Sequence, residues 1–419
     1  MSSVAVAVRD ASSALERAGT APLTVELVEG REGFNALEKE WNAALSRGPR
    51  DEPMLRHEWV RAWIENFAPG TPLRTIVVRA GRELQAALPL VELEERNVDT
   101  CFLPLTTWTT PHNDHSQRGG FLLGPRGVEA LPLVWEKLAA MPAWDRLRLR
   151  DLPHGAPEWK LRDLAESAGF PCGLWTSLRS PYLVLPPIEP PVATVDVKKP
   201  NRKPLPSRFE LVESRVDAKF RQNLRRRRRR LAEQGEVKYA LQGAKDAREL
   251  DCALADFFVI EASGWKGRGG TAIAQRPELV GFYTQVARDA ARRGALALGF
   301  LELSGRRIAA HFSIVHGGVH YLLKLGYDES FHEFSPGQQL TSEMIRDTCQ
   351  RGLAEFDFLG PCMDWKLDWE PALRTHTWLT IFRPTRKGRL VYEARYTAWP
   401  LARAVAGQLR RAVRGEGQA

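Results

Sequence analysis

Residues 321–369 decide the fold of this chain and read YLLKLGYDESFHEFSPGQQLTSEMIRDTCQRGLAEFDFLGPCMDWKLDW. The apolar run at residues 321–323 predicts a strand, and a polar loop follows at residues 327–334. A second short strand is predicted further on, where Phe356 and Phe358 share one face. A helical pattern lies between them, so the stretch predicts a strand, a loop, a helix and a strand in succession.

The predicted helix is marked at both of its ends. Ser335 and Gln338 have the Ser-x-x-Gln spacing of a capping box, and Pro336 suits the first helical position. From Leu340 onward, apolar residues recur at helical spacing, and Gly352 provides a C-terminal stop. The sequence therefore predicts a helix that begins after Ser335.

The start of this helix is a candidate anion site. Proline has no N–H, but the amides of Gly337, Gln338 and Gln339 would point out of the helix N-terminus, where the helix dipole favours negative charge. Glycine at position 337 also allows a phosphate to approach the backbone closely. These three residues and Ser335 are the candidates for binding the pyrophosphate of a nucleotide or of coenzyme A. The alternative is an ordinary capped helix with a glycine in its first turn.

The basic character of the chain is confined to one segment. The 419 residues carry a net charge of +9, and residues 196–230 contain fourteen Lys and Arg against four acidic residues. The rest of the chain is therefore nearly neutral, which argues against a protein that binds nucleic acid over its whole surface.

Cysteine usage and hydropathy set the compartment that we expect. Five scattered cysteines without CxxC spacing predict neither a disulfide framework nor a metal site. We find no apolar run long enough to cross a bilayer and no signal-peptide pattern at the N-terminus. We expect a cytoplasmic protein, with attachment to the inner face of the membrane as an alternative.

The chain divides by composition into five segments. Residues 1–22 read as a disordered tail, and residues 23–186 as a first domain. Residues 187–208 are rich in Pro and Lys and read as a linker or insertion. Residues 209–395 form the second domain, and residues 396–419 read as a basic amphipathic helix. The length agrees with two domains.

An internal comparison relates the two domains. The segment GRELQAALPLV (81–91) aligns without gaps on GRRIAAHFSIV (305–315), and each segment follows a predicted strand. A further strand or loop, a helix and a strand come after each of them. The shared order favours two versions of one fold.

Seven motifs in order carry a resemblance to a known family: PMLRHEWVRAW, the strand Leu88-Pro89-Leu90, RQNLRRRRRRL, EASGWKG, FSPGQQL, FDFLGP and DWKLDW. From about residue 24 to residue 395, the layout resembles the CelD-like acetyltransferases of the GNAT superfamily, whose functional relatives are the FemABX aminoacyl transferases. The resemblance implies an α/β chain of two tandem GNAT-like domains, each a mixed, mainly antiparallel twisted sheet flanked by helices. It also implies a transferase site in the second domain, and we expect the first domain to be degenerate.

One departure from the family pattern leaves the acyl donor open. GNAT proteins that bind acetyl-CoA carry Arg or Gln, two further residues, and then Gly-x-Gly or Gly-x-Ala at the pyrophosphate loop. Here Phe334 stands three residues before Gly337, and Gln339 takes the second small position. Acetyl-CoA and an aminoacyl-tRNA, the donor of the FemABX relatives, both remain candidate donors.

Acyl transfer to an amine requires a base, and an acid can assist the leaving group. Glu261 is the candidate base, because it lies at a helix end that opens into a glycine-rich loop. Tyr327 and Asp328 precede the helix start and are candidates for acid catalysis. Asp357 is a candidate second carboxylate. The alternatives are a surface glutamate, a packed tyrosine, and an aspartate that pairs with Lys366.

Aromatic and cationic residues are the candidates for substrate binding. Trp265, Lys266, Lys324 and Lys366 suit a sugar, peptide or nucleotide acceptor, unless the tryptophan is core and the lysines are solvated. In the arginine run, Arg227 and Arg228 are predicted to fall near an apolar stripe, so their guanidinium groups can meet an anion.

Several partners fit the arginine run. A substrate diphosphate, an anionic membrane surface and RNA are all candidates, as is a merely solvated basic helix.

The leading functional hypothesis is an N-acyltransferase that moves acetyl from acetyl-CoA, as cosubstrate, to an amino group of a cell-envelope or exopolysaccharide precursor. A FemABX-like transfer from charged tRNA is the alternative, and only this alternative predicts tRNA binding. A non-catalytic accessory protein of a polysaccharide system is a third hypothesis.

Overall fold

A computed structural model describes residues 21–188, 206–242 and 246–399, apart from the side chains of Gln242, Trp265 and Lys266. The predicted N-terminal tail, the Pro/Lys-rich linker and the C-terminal basic helix lie wholly or largely outside the described residues.

Thirteen strands are found in the described residues. In chain order they are β1 Leu23–Glu29, β2 Leu73–Ala80, β3 Glu83–Glu95, β4 Leu105–Thr109, β5 Leu122–Leu123, β6 Arg146–Pro153, β7 Cys172–Val184, β8 Val237–Gln242, β9 Leu296–Leu303, β10 Arg306–His316, β11 Val319–Tyr327, β12 Glu355–Asp357 and β13 Ala372–Phe382.

The α-helices of the same residues lie before, between and after groups of these strands. In chain order they are α1 Gly30–Ala36, α2 Glu38–Leu45, α3 His57–Phe67, α4 Gly127–Ala140, α5 Lys160–Ser167, α6 Arg208–Arg215, α7 Ala218–Ala232, α8 Ala247–Ala262, α9 Trp265–Arg268, α10 Pro277–Arg292, α11 Pro336–Gln350, α12 Asp364–Leu367 and α13 Arg386–Tyr392.

The chain forms two compact units. Unit 1 comprises the described residues of Met1–Ile64, Ala68–Ser177 and Thr375–Ala419, and unit 2 comprises Glu65–Phe67 and Leu178–Arg374. The boundaries differ from the predicted domain ends at residues 186 and 395. The first boundary differs because the division after Ser177 falls within β7. The second differs because β13, an unpredicted strand, pairs with β6 of unit 1 from His376 onward.

Unit 1 is a mixed sheet covered by helices. Its strands lie in the order β1-β2-β3-β4-β6-β13-β7, and unit 1 contains β13 from Thr375 onward and β7 up to Ser177. Only β4 and β6 are parallel among the pairs whose registers are described, and α4 connects them. Leu131, Val134 and Leu138 of α4 are fully buried against this sheet.

Unit 2 repeats this arrangement with other residues. Its strands lie in the order β7-β12-β11-β10-β9-β8. Here β11 and β12 are the parallel pair, and α11 connects them. Leu340, Met344 and Ile345 of α11 are buried in one core with Phe356 of β12. Both units are therefore mixed, mainly antiparallel sheets flanked by helices, as the sequence predicts.

Left-handed backbone at two tight turns explains the hairpins of unit 2. Ser304 and Gly305 have φ of 49° and 83° between β9 and β10, and Gly317 and Gly318 have φ of 56° and 78° between β10 and β11. Two consecutive residues with positive φ match the right-handed twist of the strands that they connect. β9, β10 and β11 therefore form a continuous antiparallel meander.

The described helices include none that is both long enough and apolar enough to span a bilayer.

Close packing of α8 on β11 gives a test of this fold. A Cβ added to Gly326 would lie 2.6 Å from Glu261 Cα, whereas a Cβ on Gly337 would meet the side chains of Leu325 and Tyr327 at 3.4 Å. We expect Gly326→Ala to lower the free energy of unfolding by about 1–3 kcal/mol, because the helix must shift. Gly337→Ala should stay within about 1 kcal/mol of the wild type, since alanine favours the helix. Urea unfolding followed by circular dichroism measures both, and equal midpoints would contradict this packing.

Candidate functional site

The first turn of α11 differs from the predicted capped helix. Ser335 has φ of 50° and ψ of 56°, which is left-handed, and its side chain makes no capping hydrogen bond. Its hydroxyl instead accepts a hydrogen bond of 2.5 Å from Nη1 of Arg227. The predicted capping box is therefore wrong, because a serine in this conformation does not have the extended backbone typical of an N-cap.

Two backbone amides at the start of α11 are not used by the hydrogen bonds of the helix itself. The N–H of Gln339 donates to the carbonyl of Ser335 at 3.1 Å, and Pro336 has no N–H. A helix provides no partner of its own for the amides before this first bond, which here are those of Gly337 and Gln338. The helix dipole adds positive potential there, and the Arg227 guanidinium lies against the preceding residue. The arrangement suits an anion.

Gln339 is predicted from the sequence to bind phosphate, but its contacts in the structure are internal. Its side chain is 2% exposed. Its Nε2 donates to the Phe334 carbonyl at 2.9 Å, and its Oε1 accepts from the hydroxyl of Tyr239 at 3.2 Å. Because its amide and side chain both serve internal contacts, Gln339 stabilises the turn. Its expected part in anion binding has no support in these contacts.

The basic helix α7 packs along α11. Arg228 makes an ion pair with Glu343, and its guanidinium lies 5.0 Å from the ring centroid of Tyr239. Arg230 pairs with Glu333 at 2.7 Å. These contacts fix the face of α7 that bears Arg227, while Arg225, Arg226 and Arg229 are exposed. One part of the arginine run is thus structural and another part is available at the surface.

Gln338 connects the helix start to the segment that carries Lys366. Its Nε2 donates to the carbonyl of Trp365 at 2.7 Å, and its Oε1 accepts from Nε1 of Trp369 at 2.8 Å. Trp369 is 2% exposed, so it belongs to the core and not to a substrate surface. The two groups of candidate residues, one at α11 and one at α12, therefore form a single region.

Lys366 is a buried lysine with an altered proton affinity. It is 6% exposed, and its Nζ donates to the carbonyls of Leu359 at 2.5 Å and Pro361 at 3.1 Å. Burial lowers the pKa of Lys366 to about 8, although the charge of Asp357 acts in the opposite direction, and Lys324 lowers it further. Lys366 can therefore gain and lose a proton close to neutral pH.

Asp357 lies at the end of β12 and is fully buried. Its Oδ1 accepts from the amide of Leu359 at 2.8 Å, and its Oδ2 accepts from Arg374 at 3.0 Å. The guanidinium of Arg374 also lies 4.1 Å from the ring centroid of Tyr182. The sequence does not single out Arg374, because it stands in a strand without a motif. These contacts make Asp357 an ion-pair partner of Arg374 and a charge near Lys366.

The parallel pair of unit 2 places Lys324 on the longer strand. β11 and β12 pair in register from Val319 with Glu355 to Tyr321 with Asp357, and β11 continues to Tyr327. Lys324 lies in this continuation, with its Nζ 5.9 Å from the ring centroid of Tyr283. Within unit 2, the charges of Lys324 and Asp357 therefore both act on the pKa of Lys366.

The remaining catalytic candidates have structural contacts. Glu261 is 4% exposed, and its Oε2 accepts from the amide of Ile273 at 2.9 Å, which holds the loop after α8. The carbonyl of Tyr327 accepts from the hydroxyl of Ser263 at 3.2 Å. The role of Glu261 as a base and the role of Tyr327 as an acid stay predictions.

Asp328 is held in its ionised form. Burial opposes its ionisation, but hydrogen bonds from Ser330 and the Arg306 guanidinium lower the pKa of Asp328 below its usual value. An aspartate that binds protons this weakly is poorly suited to acid catalysis at neutral pH. The side chains of Trp265 and Lys266 lie outside the described residues, so their role in substrate binding stays a prediction.

Within the described parts of the chain, no cluster of three His, Cys, Asp or Glu side chains has the arrangement of a metal site.

Comparison with known proteins identifies the fold and one domain. Residues 218–367 match the family model described as "Acetyltransferase (GNAT) domain". No curated protein matches the chain.

Solved structures with a similar fold include FemX, at a TM-score of 0.51 and 12% identity, covering 84% of this chain and 96% of that one. They also include a C-terminal domain of a putative lysylphosphatidylglycerol synthetase from Agrobacterium fabrum. Its TM-score is 0.48 and its identity 13%, and the match covers 86% of this chain and 96% of that one. A third is a tandem GNAT protein from the clavulanic acid biosynthesis pathway. Its TM-score is 0.43 and its identity 13%, and the match covers 86% of this chain and 100% of that one.

The match places residues 218–367 among the GNAT acyltransferase domains. The chain as a whole has a fold similar to that of FemX, and unit 1 repeats the strand order of unit 2.

The altered proton affinity of Lys366 can be measured directly. In a heteronuclear NMR titration of the full chain, we expect one lysine side-chain resonance with a midpoint near pH 8, because burial penalises the charged form. The spectrum of Lys366→Arg should lack this resonance and retain the others. A Lys366 midpoint above pH 10 would show that the ammonium group is solvated, contrary to the geometry.

Proposed function

We propose that the chain is an N-acyltransferase that uses acetyl-CoA, with its site at α11, α12 and the end of β12 in unit 2. The observation that carries this proposal is the pair of hydrogen bonds of Gln338, which set the anion-favouring helix start beside Lys366. An acyl-CoA needs both features, because it carries phosphates at one end and a reacting thioester at the other.

The phosphates of coenzyme A fit the start of α11. The amides of Gly337 and Gln338 are the donors that a helix leaves for an external acceptor. Arg227 adds a full positive charge, and its hydrogen bond to Ser335 holds it at this place. A guanidinium and backbone amides in one place are a common means of binding phosphate oxygens.

Lys366 is the proposed proton carrier. Acetyl-CoA supplies an activated acyl thioester when it is bound. As the amide bond forms, the C–S bond breaks, and coenzyme A leaves as a thiolate that takes up a proton. An attacking amine must lose a proton as its bond to the acyl group forms, and a lysine with a pKa of about 8 is partly neutral near pH 7–8 and can accept that proton. Asp357 stabilises the resulting ammonium group by its charge, and the carbonyls of Leu359 and Pro361 accept its hydrogen bonds.

The acceptor is proposed to be an amino group on an anionic cell-envelope or exopolysaccharide precursor. The exposed arginines of α7, namely Arg225, Arg226 and Arg229, support an acceptor with phosphate or carboxylate groups. Charge recognition of this kind weakens with salt, since exposed charges are screened beyond about 8–10 Å at physiological ionic strength.

Arg227 gives the sharpest test of donor binding. In calorimetric titrations with acetyl-CoA, we expect Arg227→Ala to raise the Kd about tenfold or more, because a charged hydrogen bond contributes roughly 1.5–3 kcal/mol. Arg226→Ala is the matched control on the exposed side of the same helix, and it should stay within about twofold of the wild type. Equal effects of the two substitutions would place the phosphates elsewhere.

Lys366 gives a separate test of the chemical step. We expect the rate of thiol release from acetyl-CoA, with an amine acceptor, to rise with pH and level off above an apparent pKa near 8. Lys366→Met should lower kcat about 100-fold or more, because a general base typically contributes a factor of this size. The same substitution should change the Kd for acetyl-CoA little. An unchanged pH profile in this variant would remove Lys366 from the reaction.

Aminoacyl transfer from charged tRNA is the second candidate function. Pro336 and the internally bound Gln339 leave fewer phosphate donors here than a glycine-rich loop would, and this observation favours a donor other than coenzyme A. The wild type would then show no heat with acetyl-CoA and would transfer an amino acid from charged tRNA. Thiol release without any effect of tRNA would exclude this alternative.

A further inference from the structure

Unit 1 contains a pocket lined by cations and aromatic rings. The pocket has a volume of about 240 Å³ and lies where β6, β13 and the start of β7 meet the π-helical segment Glu393–Ala398. Its lining residues are Asp99, Arg146, Arg148, Trp175, Trp378, Thr380, Arg395 and Tyr396. None of them belongs to the proposed acyltransferase site, which lies in unit 2.

Three guanidinium groups meet two carboxylates at this pocket. Arg146 and Arg148 both bind Glu95, at 2.6 Å and 2.9 Å. Arg395 pairs with Asp99 at 2.6 Å. The pocket and its adjoining carboxylates therefore have one positive charge in excess, which an anionic ligand would neutralise.

The buried arginines are already in place for such a ligand. The side chain of Arg146 is 4% exposed, and Thr107 Oγ1 accepts from its Nε at 2.8 Å. Burial is the largest influence on Arg146 and, together with Arg148, it lowers the pKa of Arg146. Nε of Arg148 is buried without a hydrogen-bond acceptor among the described residues. A buried donor of this kind is costly unless an acceptor arrives.

The aromatic rings provide flat apolar surfaces beside these charges. Trp378 is held by a hydrogen bond of 2.8 Å from its Nε1 to Asp151, and the guanidinium of Arg150 lies 4.3 Å from its ring centroid. Trp175 is 50% exposed, which is unusual for so large an apolar side chain. A rigid ring and an exposed ring near guanidinium groups suit a planar aromatic group that carries negative charge.

We propose that this pocket of unit 1 binds a small aromatic anion of the nucleoside monophosphate class. The base stacks on tryptophan, and the phosphate neutralises the excess charge of Arg146, Arg148 and Arg395. This site is additional to the acyl donor site and does not depend on the proposed acetyl transfer.

The test is calorimetric titration of the full chain with uridine and adenosine 5′-monophosphates. We expect at least one of them to bind, and we expect Trp175→Ala and Arg395→Gln each to weaken its binding about tenfold or more, since stacking and charge both contribute. Uridine or adenosine alone, and inorganic phosphate alone, should each bind at least tenfold more weakly than the mononucleotide.

Two matched variants control for surface effects. Trp399→Ala removes another tryptophan that is 50% exposed, and Arg389→Gln removes an exposed arginine of α13. Both should bind the mononucleotide within about twofold of the wild type.

Four results would overturn the proposal. They are no binding of either mononucleotide at millimolar concentration, equal binding by the pocket variants and the controls, equal affinity for inorganic phosphate, and loss of binding in Arg227→Ala of unit 2 but not in the pocket variants. The last result would assign the nucleotide to the donor site, so failure here is distinguishable from failure of the proposed acetyl transfer.

Discussion

The hydrogen bonds of Gln338 are the constraint on which the candidate site depends. One side chain accepts from Trp369, which is core, and donates to the backbone carbonyl of Trp365, one residue before Lys366. The helix start therefore cannot move without moving the lysine. A site that must hold phosphates and control a proton in one molecule needs such a rigid connection, because small displacements are costly in catalysis.

Burial determines which of the polar residues in unit 2 can do chemistry. Gln339 and Glu261 are as buried as Lys366, but their polar atoms bind backbone groups that hold turns and loops. Asp357 is fully buried, and it binds Arg374 and the amide of Leu359. Lys366 differs from them, since its hydrogen-bond partners are neutral carbonyls and the cost of burial outweighs the favourable charge of Asp357. Burial therefore lowers the pKa of Lys366 to about 8.

The sequence predicted most of the helices and hairpins, because apolar residues at a constant spacing report which face is buried. The helix from Pro336 to Gln350 is an example, since its apolar spacing, Pro336 at its first position and Gly352 after its end all agree with the structure. The details of its start could not be predicted, because the left-handed Ser335 depends on Arg227, more than one hundred residues earlier in the chain. The ion pair of Asp357 with Arg374 could not be predicted either, because it joins two separate strands. Local pattern reports local structure, whereas the partners of buried charges are decided by the tertiary fold.

The two units show how one arrangement of strands can present different chemistry. In unit 1, β4 and β6 pair over three residues, as β11 and β12 do in unit 2. Beyond the pair, unit 1 places His112, whose Nε2 lies 3.5 Å from Oδ2 of Asp151. Burial lowers the pKa of His112 to about 4, against the opposing charge of Asp151, so this histidine is neutral at physiological pH. The corresponding part of unit 2 has Lys366, whose pKa is lowered by burial to about 8, and the carboxylate of Asp357 acts against that shift. Since the backbone order is the same, the difference in chemistry lies in a few buried side chains, which is why the fold alone does not assign a reaction to either unit.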